Sequence, residues 1–282
     1  MDKPTDKFSL SNGHGVPCLG YGTWQIPDGE AAVSSVLAAL RVGYRHIDTA
    51  AFYQNERSIG KAIRESGIDR QEIFVTSKVW NSDRGYNGTK RAFARSLENL
   101  GLDWLDLYLI HWPASKSRFA DWEKINCSTW EAISELYKNG SIKAIGVSNF
   151  LVHHLEVLMK ADVPPMVNQI EFHPGQMQRE TVDFCQKNGI LVEAWGPLGT
   201  GKMLSSPKLA EIAAKYNKSV AQLCIRWCLQ NGVLPIPKSS TDSRIEENAN
   251  VFDFSISEGD MESISAMPYF GGSGLHPDKV GF

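Results

Sequence analysis

The chain has 282 residues, of which 42% are hydrophobic and 22% are charged, with 24 glycines and 13 prolines. This composition excludes a collagen-like or low-complexity chain, and it contains too much apolar sequence for an intrinsically disordered protein. A net charge of −3 gives no basic field for nucleic acids or anionic membranes, so we expect neither as a partner.

The N-terminus and the cysteines indicate a protein of the cytoplasm. The first ten residues, MDKPTDKFSL, lack the apolar stretch of a signal peptide, and no run of 18 apolar residues could span a membrane. The five cysteines form no C-x-x-C pair. Cys224 and Cys228 lie one helical turn apart in an apolar stretch, where we expect them to be buried packing residues.

The elements begin with a hairpin, because Phe8–Val16 contains the turn signal Asn12-Gly13. Eight short apolar runs follow, separated by segments with helical periodicity. The runs are Pro17–Gly22, Tyr44–Ile47, Ile73–Ser77, Trp104–Ile110, Ile142–Val147, Met166–Ile170, Ile190–Ala194 and Val233–Ile236. The periodicity predicts helices at Glu30–Arg41, Glu56–Glu65, Lys90–Leu100 and Trp130–Lys138. Glycines that suit helix C-caps follow at Gly43, Gly67, Gly101, Gly140, Gly189 and Gly232.

Strands that alternate with helices predict parallel pairing and an α/β fold. Eight units of about 35 residues each fit a closed (β/α)8 TIM barrel, and we expect the hairpin to plug one end of it. A doubly wound open sheet is the competing fold, but Gly20-Tyr-Gly22 lacks the third glycine of its usual fingerprint. No Ser- or Pro-rich linker divides the chain, so we expect one domain over residues 1–282.

Polar side chains end most of the apolar runs. They are Asp48, Lys78, His111, Ser148, Asn149, Gln169, Glu171, Glu193, Trp195 and Lys238. The carboxyl ends of barrel strands meet on one face, where the active sites of this fold are built. Their joint placement therefore predicts an active site at that face.

Three other kinds of site are weaker interpretations. Lys78 could form a Schiff base, as in an aldolase-type barrel, and this remains an alternative. Ser148 could be the nucleophile of a hydrolase, but its motif lacks the closing glycine of a nucleophile elbow, which argues against a hydrolase. His153, His154 and His173 have no carboxylate or cysteine at ligand spacing, so we expect no metal.

Five motifs resemble the aldo-keto reductase family in order and spacing. They are Gly43–Glu56 (GYRHIDTAAFYQNE), Leu109–Pro113 (LIHWP), Ile145–Phe150 (IGVSNF), Asn168–His173 (NQIEFH) and Ile236–Ser240 (IPKSS). The resemblance covers the chain from about Phe8 onward. It implies a (β/α)8 barrel that binds NADPH without a Rossmann domain and reduces aldehydes and some ketones to alcohols.

The resemblance places the family's catalytic tetrad on Asp48, Tyr53, Lys78 and His111. NADPH would supply the hydride and Tyr53 the proton. An ammonium group near a phenol favours phenolate and lowers its pKa, which would be the role of Lys78. Asp48 would hold Lys78, and His111 would hydrogen-bond the carbonyl oxygen and stabilise the charge developing there.

The resemblance also implies a cofactor site. Trp195 would stack on the nicotinamide, as in microbial diketogluconate reductases and trypanosomatid prostaglandin F synthases. The cations Lys238 and Arg244, with the hydroxyl groups of Ser239 and Ser240, lie near a predicted helix start and favour the 2′-phosphate of NADPH. The cofactor residues implied are Gly22, Thr23, Trp24, Asp48, Ser148, Asn149, Gln169, Trp195, Gly196, Pro197, Leu198, Gly199, Ile236, Lys238, Ser239, Ser240, Arg244, Glu247 and Asn248.

The implied substrate is a small carbonyl compound. The residues expected to contact it are Trp24, Phe52, Tyr53, Trp80, His111 and Trp112. Their aromatic character favours apolar or aromatic carbonyls, and a short tail after about Ala266 suggests an open site. We expect a monomer. The alternative function is an NADPH-binding protein that is catalytically idle, as the structural and regulatory members of the family are.

Overall fold

The computed structural model describes residues 1, 3 and 5–282. The chain begins with an antiparallel hairpin of β1 (Lys7–Ser9) and β2 (Gly15–Pro17), in which Phe8 pairs with Val16. Gly13 has a φ of 84° in the turn, which glycine adopts at little cost. Asn12 Nδ2 donates to Lys143 O at 3.0 Å, so the hairpin lies where the fifth barrel strand begins. The predicted hairpin plug is therefore confirmed.

Eight parallel strands among the described residues form the barrel, and each one pairs with the next in the chain. They are β3 (Gly20–Gly22), β4 (His46–Asp48), β5 (Phe74–Val79), β6 (Leu105–Ile110), β7 (Ile142–Ser148), β8 (Val167–Glu171), β9 (Leu191–Trp195) and β10 (Leu234–Ile236). The first and last strands meet where Gly22 N donates to Pro237 O at 3.0 Å. The predicted (β/α)8 barrel is confirmed.

The helices surround the barrel. They are α1 (Glu30–Val42), α2 (Glu56–Glu65), α3 (Tyr86–Leu100), α4 (Trp122–Lys138), α5 (Val152–Leu158), α6 (Arg179–Lys187), α7 (Pro207–Lys215), α8 (Val220–Gln230), α9 (Asp242–Ala249) and α10 (Glu258–Ser265). Gly43 ends α1 with a φ of 114°, as predicted for a left-handed cap. The helices bury aliphatic and aromatic faces against the strands; Trp227 of α8, for example, stacks on Phe172.

Two helices begin earlier than their apolar periodicity predicts. The helix expected from Trp130 begins at Trp122. The apolar pattern misses its first turns because polar side chains are buried there. Asn126 is fully buried and exchanges hydrogen bonds with Ala114 N and O at 2.8 and 3.0 Å. The helix expected from Lys90 begins at Tyr86, and its first turns bury Gly88 and Thr89. Buried polar or small residues do not contribute to an apolar pattern.

The strands run further than the apolar runs do. Asp48, Lys78, Ser148, Glu171 and Trp195 all lie within strands, although the apolar pattern ends before them. Backbone pairing continues into these residues because it does not depend on side-chain polarity. The predicted run Pro17–Gly22 is instead divided, since β2 ends at Pro17 and β3 begins at Gly20.

The five cysteines are free, and Cys224 and Cys228 are fully buried, as predicted. No helix in the described part of the chain is long and apolar enough to cross a membrane.

Candidate active site

The four tetrad side chains converge at the carboxyl ends of three neighbouring strands. Asp48 ends β4, Tyr53 lies in the following 3-10 turn, Lys78 is near the end of β5, and His111 directly follows β6. Lys78 Nζ donates to Asp48 Oδ1 at 2.7 Å and lies 3.3 Å from Tyr53 Oη. The Tyr53 and His111 rings meet edge to face, with centroids 5.6 Å apart.

Lys78 is a fully buried cation that has three oxygen partners. It bonds Asp48, Tyr53 and the carbonyl oxygen of Thr49, the last at 2.9 Å. Burial alone lowers the pKa of Lys78, but the Asp48 carboxylate and the Tyr53 oxygen outweigh it and raise that pKa above its ordinary value. Lys78 is therefore an ammonium group at neutral pH.

Tyr53 is a neutral phenol in this setting. Burial raises its pKa, while the Lys78 ammonium lowers it, and the net pKa is above the ordinary value. Lys78 thus acts in the expected direction, but desolvation is the larger effect. A phenol that keeps its proton at neutral pH has one to donate, and Lys78 stabilises the phenolate left afterwards.

His111 is a neutral imidazole. Burial, and then the charge of Lys78, hold the pKa of His111 well below its ordinary value. Nδ1 is buried with no partner among the described residues, whereas the side chain as a whole lines the cavity at the site. Nε2 is therefore the nitrogen available to hydrogen-bond a molecule in that cavity.

A second set of polar residues lies beside the tetrad, at the carboxyl ends of the next three strands, β7 to β9. Asn149 follows β7 in a left-handed conformation, with a φ of 63°. Its Nδ2 donates to His111 O at 3.0 Å, and its Oδ1 accepts from Trp195 Nε1 at 2.8 Å. Ser148 Oγ donates to Gln169 O at 2.8 Å. These bonds fix the amide, hydroxyl and indole groups around one cavity.

That cavity has a volume of about 790 Å³ and extends from the tetrad to α9. Its wall contains most of the residues expected to bind cofactor or substrate. These are Gly22, Trp24, Asp48, Phe52, Tyr53, Trp80, His111, Trp112, Ser148, Asn149, Gln169, Trp195, Gly196, Pro197, Leu198, Ile236, Lys238, Ser239, Ser240, Arg244, Glu247 and Asn248.

Three expected residues lie behind the wall. Thr23 is fully buried, and its Oγ1 donates to Asp48 O at 2.9 Å, so it supports β4. Gly199 packs against Met203, and a Cβ there would lie 2.7 Å from the methionine Cε. Lys78 is fully buried beneath Tyr53. Thr23 and Gly199 therefore lie off the cavity wall, and their contact with a cofactor stays a prediction.

The far end of the cavity is suited to phosphate. Lys238 and Arg244 line it, and neither forms an ion pair with another described residue. Ser239 and Ser240 lie between them, before α9 begins at Asp242, close to the predicted helix start. Tyr21 Oη donates to Ser239 O at 2.5 Å and holds this loop. Two unpaired cations beside hydroxyl groups can bind a phosphate monoester.

Aromatic rings form the mouth of the cavity. Phe52 stacks on Trp80, with centroids 3.7 Å apart, and Trp80 lies 5.0 Å from the His111 ring. Phe282 stacks on Trp80 at 5.5 Å and meets Trp112 edge to face at 5.3 Å. The sequence did not indicate Phe282, because the tail has no periodic pattern.

Other wall residues were also missed by the sequence reasoning. Ser273 and Leu275 come from the tail, and Ser219, Val220 and Ala221 from the start of α8. The spacing of Ser219 and Gln222 is a capping-box signal that could have located the start of α8. No comparable signal marks the two tail residues.

The tail also corrects the expectation about the histidines. Asp278 Oδ1 lies 3.2 Å from Nε2 of both His153 and His154, so a carboxylate does approach them. His154 Nδ1 accepts from Leu151 N at 3.2 Å, which uses the single lone pair of a neutral imidazole. Burial lowers the pKa of His154 to about 3. This cluster therefore fits a contact that fastens the tail better than it fits a metal site.

Comparisons with known proteins agree with this geometry. A family model described as the aldo/keto reductase family matches residues 18–267. Glyoxal reductase of Bacillus subtilis is 51% identical over 278 residues, which are 98% of each chain. A 9,11-endoperoxide prostaglandin H2 reductase of Trypanosoma cruzi is 49% identical and covers 92% of this chain and 90% of its own. The crystal structure of a Gox0644 mutant in complex with NADPH has a TM-score of 0.89, 40% identity and 99% coverage of both chains.

Proposed function

The chain belongs to the aldo-keto reductase family of oxidoreductases, and we propose that it uses NADPH to reduce aldehydes and some ketones to alcohols. The observation that carries this proposal is the Lys78–Tyr53 contact of 3.3 Å beside a cavity that can hold a nicotinamide and a carbonyl compound. A buried ammonium next to a neutral phenol is an arrangement for proton donation.

The residues of this chain divide the work of carbonyl reduction between them. NADPH, when bound, supplies the hydride. Nε2 of His111 donates a hydrogen bond to the carbonyl oxygen and orients it toward the phenol. Tyr53 gives its proton to that oxygen as negative charge builds on it. Lys78 stabilises the resulting phenolate, and Asp48 holds Lys78 in place at 2.7 Å.

The cavity fits a dinucleotide along its length. Trp195 is half-buried on the cavity wall and would stack on the nicotinamide, and Ser148, Asn149 and Gln169, which line the same cavity, would hydrogen-bond its carboxamide. Lys238, Ser239, Ser240 and Arg244 would bind the 2′-phosphate, and Glu247 and Asn248 would lie near the adenine. Since NADH lacks that phosphate, we propose that the enzyme prefers NADPH.

The aromatic mouth supports small apolar or aromatic carbonyl compounds as substrates. The similarity to a glyoxal reductase makes 1,2-dicarbonyls the first small compounds to test. Lys78 does not support the Schiff-base alternative, because it is fully buried, bonded to three oxygens and absent from the cavity wall. We further propose that residues 1–282 act as one domain, as a monomer and in the cytoplasm.

The test is a loss of absorbance at 340 nm when purified protein is mixed with NADPH and phenylglyoxal or 4-nitrobenzaldehyde. Turnover with NADPH, and much less with NADH, is the expected result. If the protein only binds the cofactor, NADPH would quench its intrinsic fluorescence in a titration, but no NADPH would be oxidised. A Schiff-base enzyme would need no NADPH, and borohydride would trap its substrate covalently on Lys78.

A further inference from the structure

A buried glutamate that the proposed reaction does not use lies behind the cavity. Glu193 is in the middle of β9, paired with Gln169 of β8 and Leu234 of β10, and none of its surface is exposed. Its Oε2 accepts from Gln169 Nε2 at 3.0 Å, and its Oε1 has no partner among the described residues. A carboxyl group buried this deeply costs stability, so its presence suggests a role in the site.

Gln169 connects Glu193 with the tetrad across the barrel. The same Nε2 that bonds Glu193 also donates to Asp48 Oδ2 at 2.8 Å, and β8 and β4 lie on opposite sides of the ring. An amide nitrogen has two hydrogens, and here each has an acceptor. Asp48 accepts from Lys78 with its other oxygen, so a continuous chain of bonds joins Tyr53 to Glu193.

This bonding decides which way the Gln169 amide faces. A flipped amide would turn its carbonyl oxygen toward two carboxyl groups, of which Asp48 is an acceptor only. With Nε2 held between them, the carbonyl oxygen is the part left for the cavity that Gln169 lines. A carbonyl oxygen there can accept an N–H from a carboxamide.

We propose that Glu193 is a positioning residue, which fixes the amide of Gln169 so that its carbonyl oxygen accepts the carboxamide N–H of the nicotinamide. The role rests on the proposed function, since it needs a nicotinamide in the cavity. Asp48 alone could hold one amide hydrogen, and Glu193 holds the other.

The charge of Glu193 gives a second consequence. Burial, together with the Asp48 charge, raises its pKa to about 8, against the opposing effects of the Gln169 hydrogen bond and Lys78. Asp48 of β4 and Lys78 of β5 are the charged groups that act on it from across the barrel interior. Glu193 is therefore neutral at pH 7 and becomes negative as the pH rises through about 8. Negative charge there favours the cationic ring of NADP+ over the neutral ring of NADPH.

The first test compares two nucleotides on three variants by fluorescence titration. The nucleotides are NADP+ and its 3-acetylpyridine analogue, which has no carboxamide N–H. Glu193→Met removes the acceptor while keeping the volume, and Glu193→Gln keeps an acceptor oxygen. Asn168→Leu is the matched control, because Asn168 is buried on the same strand as Gln169 but bonds Phe150 O on the other side of the barrel wall.

We expect Glu193→Met to weaken NADP+ binding by about three- to tenfold, the effect of losing one oriented hydrogen bond. Binding of the acetylpyridine analogue should change by less than about twofold, and Glu193→Gln should restore most of the NADP+ affinity. Asn168→Leu should lower the Tm without altering the ratio of the two dissociation constants. Equal weakening of both nucleotides by Glu193→Met would overturn the proposal.

The second test is the pH dependence of the ratio of the dissociation constants for NADP+ and NADPH. In the wild-type protein this ratio should fall between pH 7 and 9, and in Glu193→Gln it should stay flat. The same fall in both proteins would also overturn the proposal. Wild-type protein that binds no NADPH would refute the proposed function itself, whereas binding and turnover with no effect of Glu193 would refute only this inference.

Discussion

Lys78→Met removes the buried ammonium and nearly preserves the side-chain volume. At 3.3 Å from Tyr53 Oη, a unit charge stabilises the phenolate by about 5 kcal/mol at an effective dielectric constant of about 20. This corresponds to about three to four pKa units. The Tyr53 pKa, already raised by burial, would rise further, and we expect kcat/KM for an aldehyde to fall by about 10²- to 10⁴-fold, the usual contribution of general acid catalysis.

Lys78→Met also leaves the buried Asp48 carboxylate without its cation, and breaking such a pair costs about 3–5 kcal/mol of folding stability. The double variant Lys78→Met/Asp48→Asn removes both charges and separates stability from chemistry. It should recover much of the lost Tm and none of the lost activity. Steady-state assays from pH 6 to 9 at a temperature where all variants are folded decide the matter. A folded Lys78→Met enzyme within tenfold of wild-type kcat/KM would refute the role given to Lys78.

Three further predictions concern the cofactor, the imidazole and the interior carboxyl group. Arg244→Ala should raise the Michaelis constant for NADPH by about ten- to a hundredfold, because it removes a charged contact to the phosphate. The Michaelis constant for NADH should stay nearly unchanged. Equal effects on the two Michaelis constants would contradict the 2′-phosphate site. Because the pKa of His111 lies well below its ordinary value, the imidazole stays neutral as the pH falls, and the pH profile of kcat/KM should show no ionisation of His111 between pH 7 and 5.5. A change of kcat/KM in this pH range that is present in the wild-type enzyme and absent from His111→Gln would contradict this. Burial raises the pKa of Glu193 to about 8, so a neutral Glu193 stabilises the folded protein fully below the pKa of an unfolded glutamate, and this stabilisation is lost as the pH rises toward 8. The Tm of the wild-type protein should therefore fall relative to that of Glu193→Gln between pH 5 and 8. Parallel curves of Tm against pH for the two proteins would contradict a neutral Glu193.

The barrel and its reactive face follow from local patterns in the sequence. Apolar runs mark the strands, and the polar residues at their ends, such as Asp48 and Lys78, meet because parallel strands end on one face. The strand bounds were less accurate, since backbone pairing continues through these polar residues. The motifs supplied Tyr53, whose position in a turn has no periodicity to predict it.

Contacts across the barrel and along the tail had no local signal. Asp48 and Gln169 are 121 residues apart, and their bond depends on the width of the barrel interior. Asp278 reaches His153 and His154 only because an irregular tail folds back over the barrel, and Phe282 reaches Trp80 for the same reason. The dominance of desolvation over the Lys78 charge at Tyr53 depends on burial, which spacing does not give.

The most direct test of the central claim is Tyr53→Phe, which removes one oxygen atom from the site. We expect NADPH to bind with unchanged affinity, because the carboxamide and phosphate contacts do not involve that oxygen. Oxidation of NADPH by an aldehyde should fall by at least about 10²-fold, since Lys78 is buried away from the cavity wall and the N–H of a neutral His111 is a weaker acid than the phenol. Wild-type turnover in a Tyr53→Phe enzyme of unchanged Tm would contradict the assignment of Tyr53 as the proton donor.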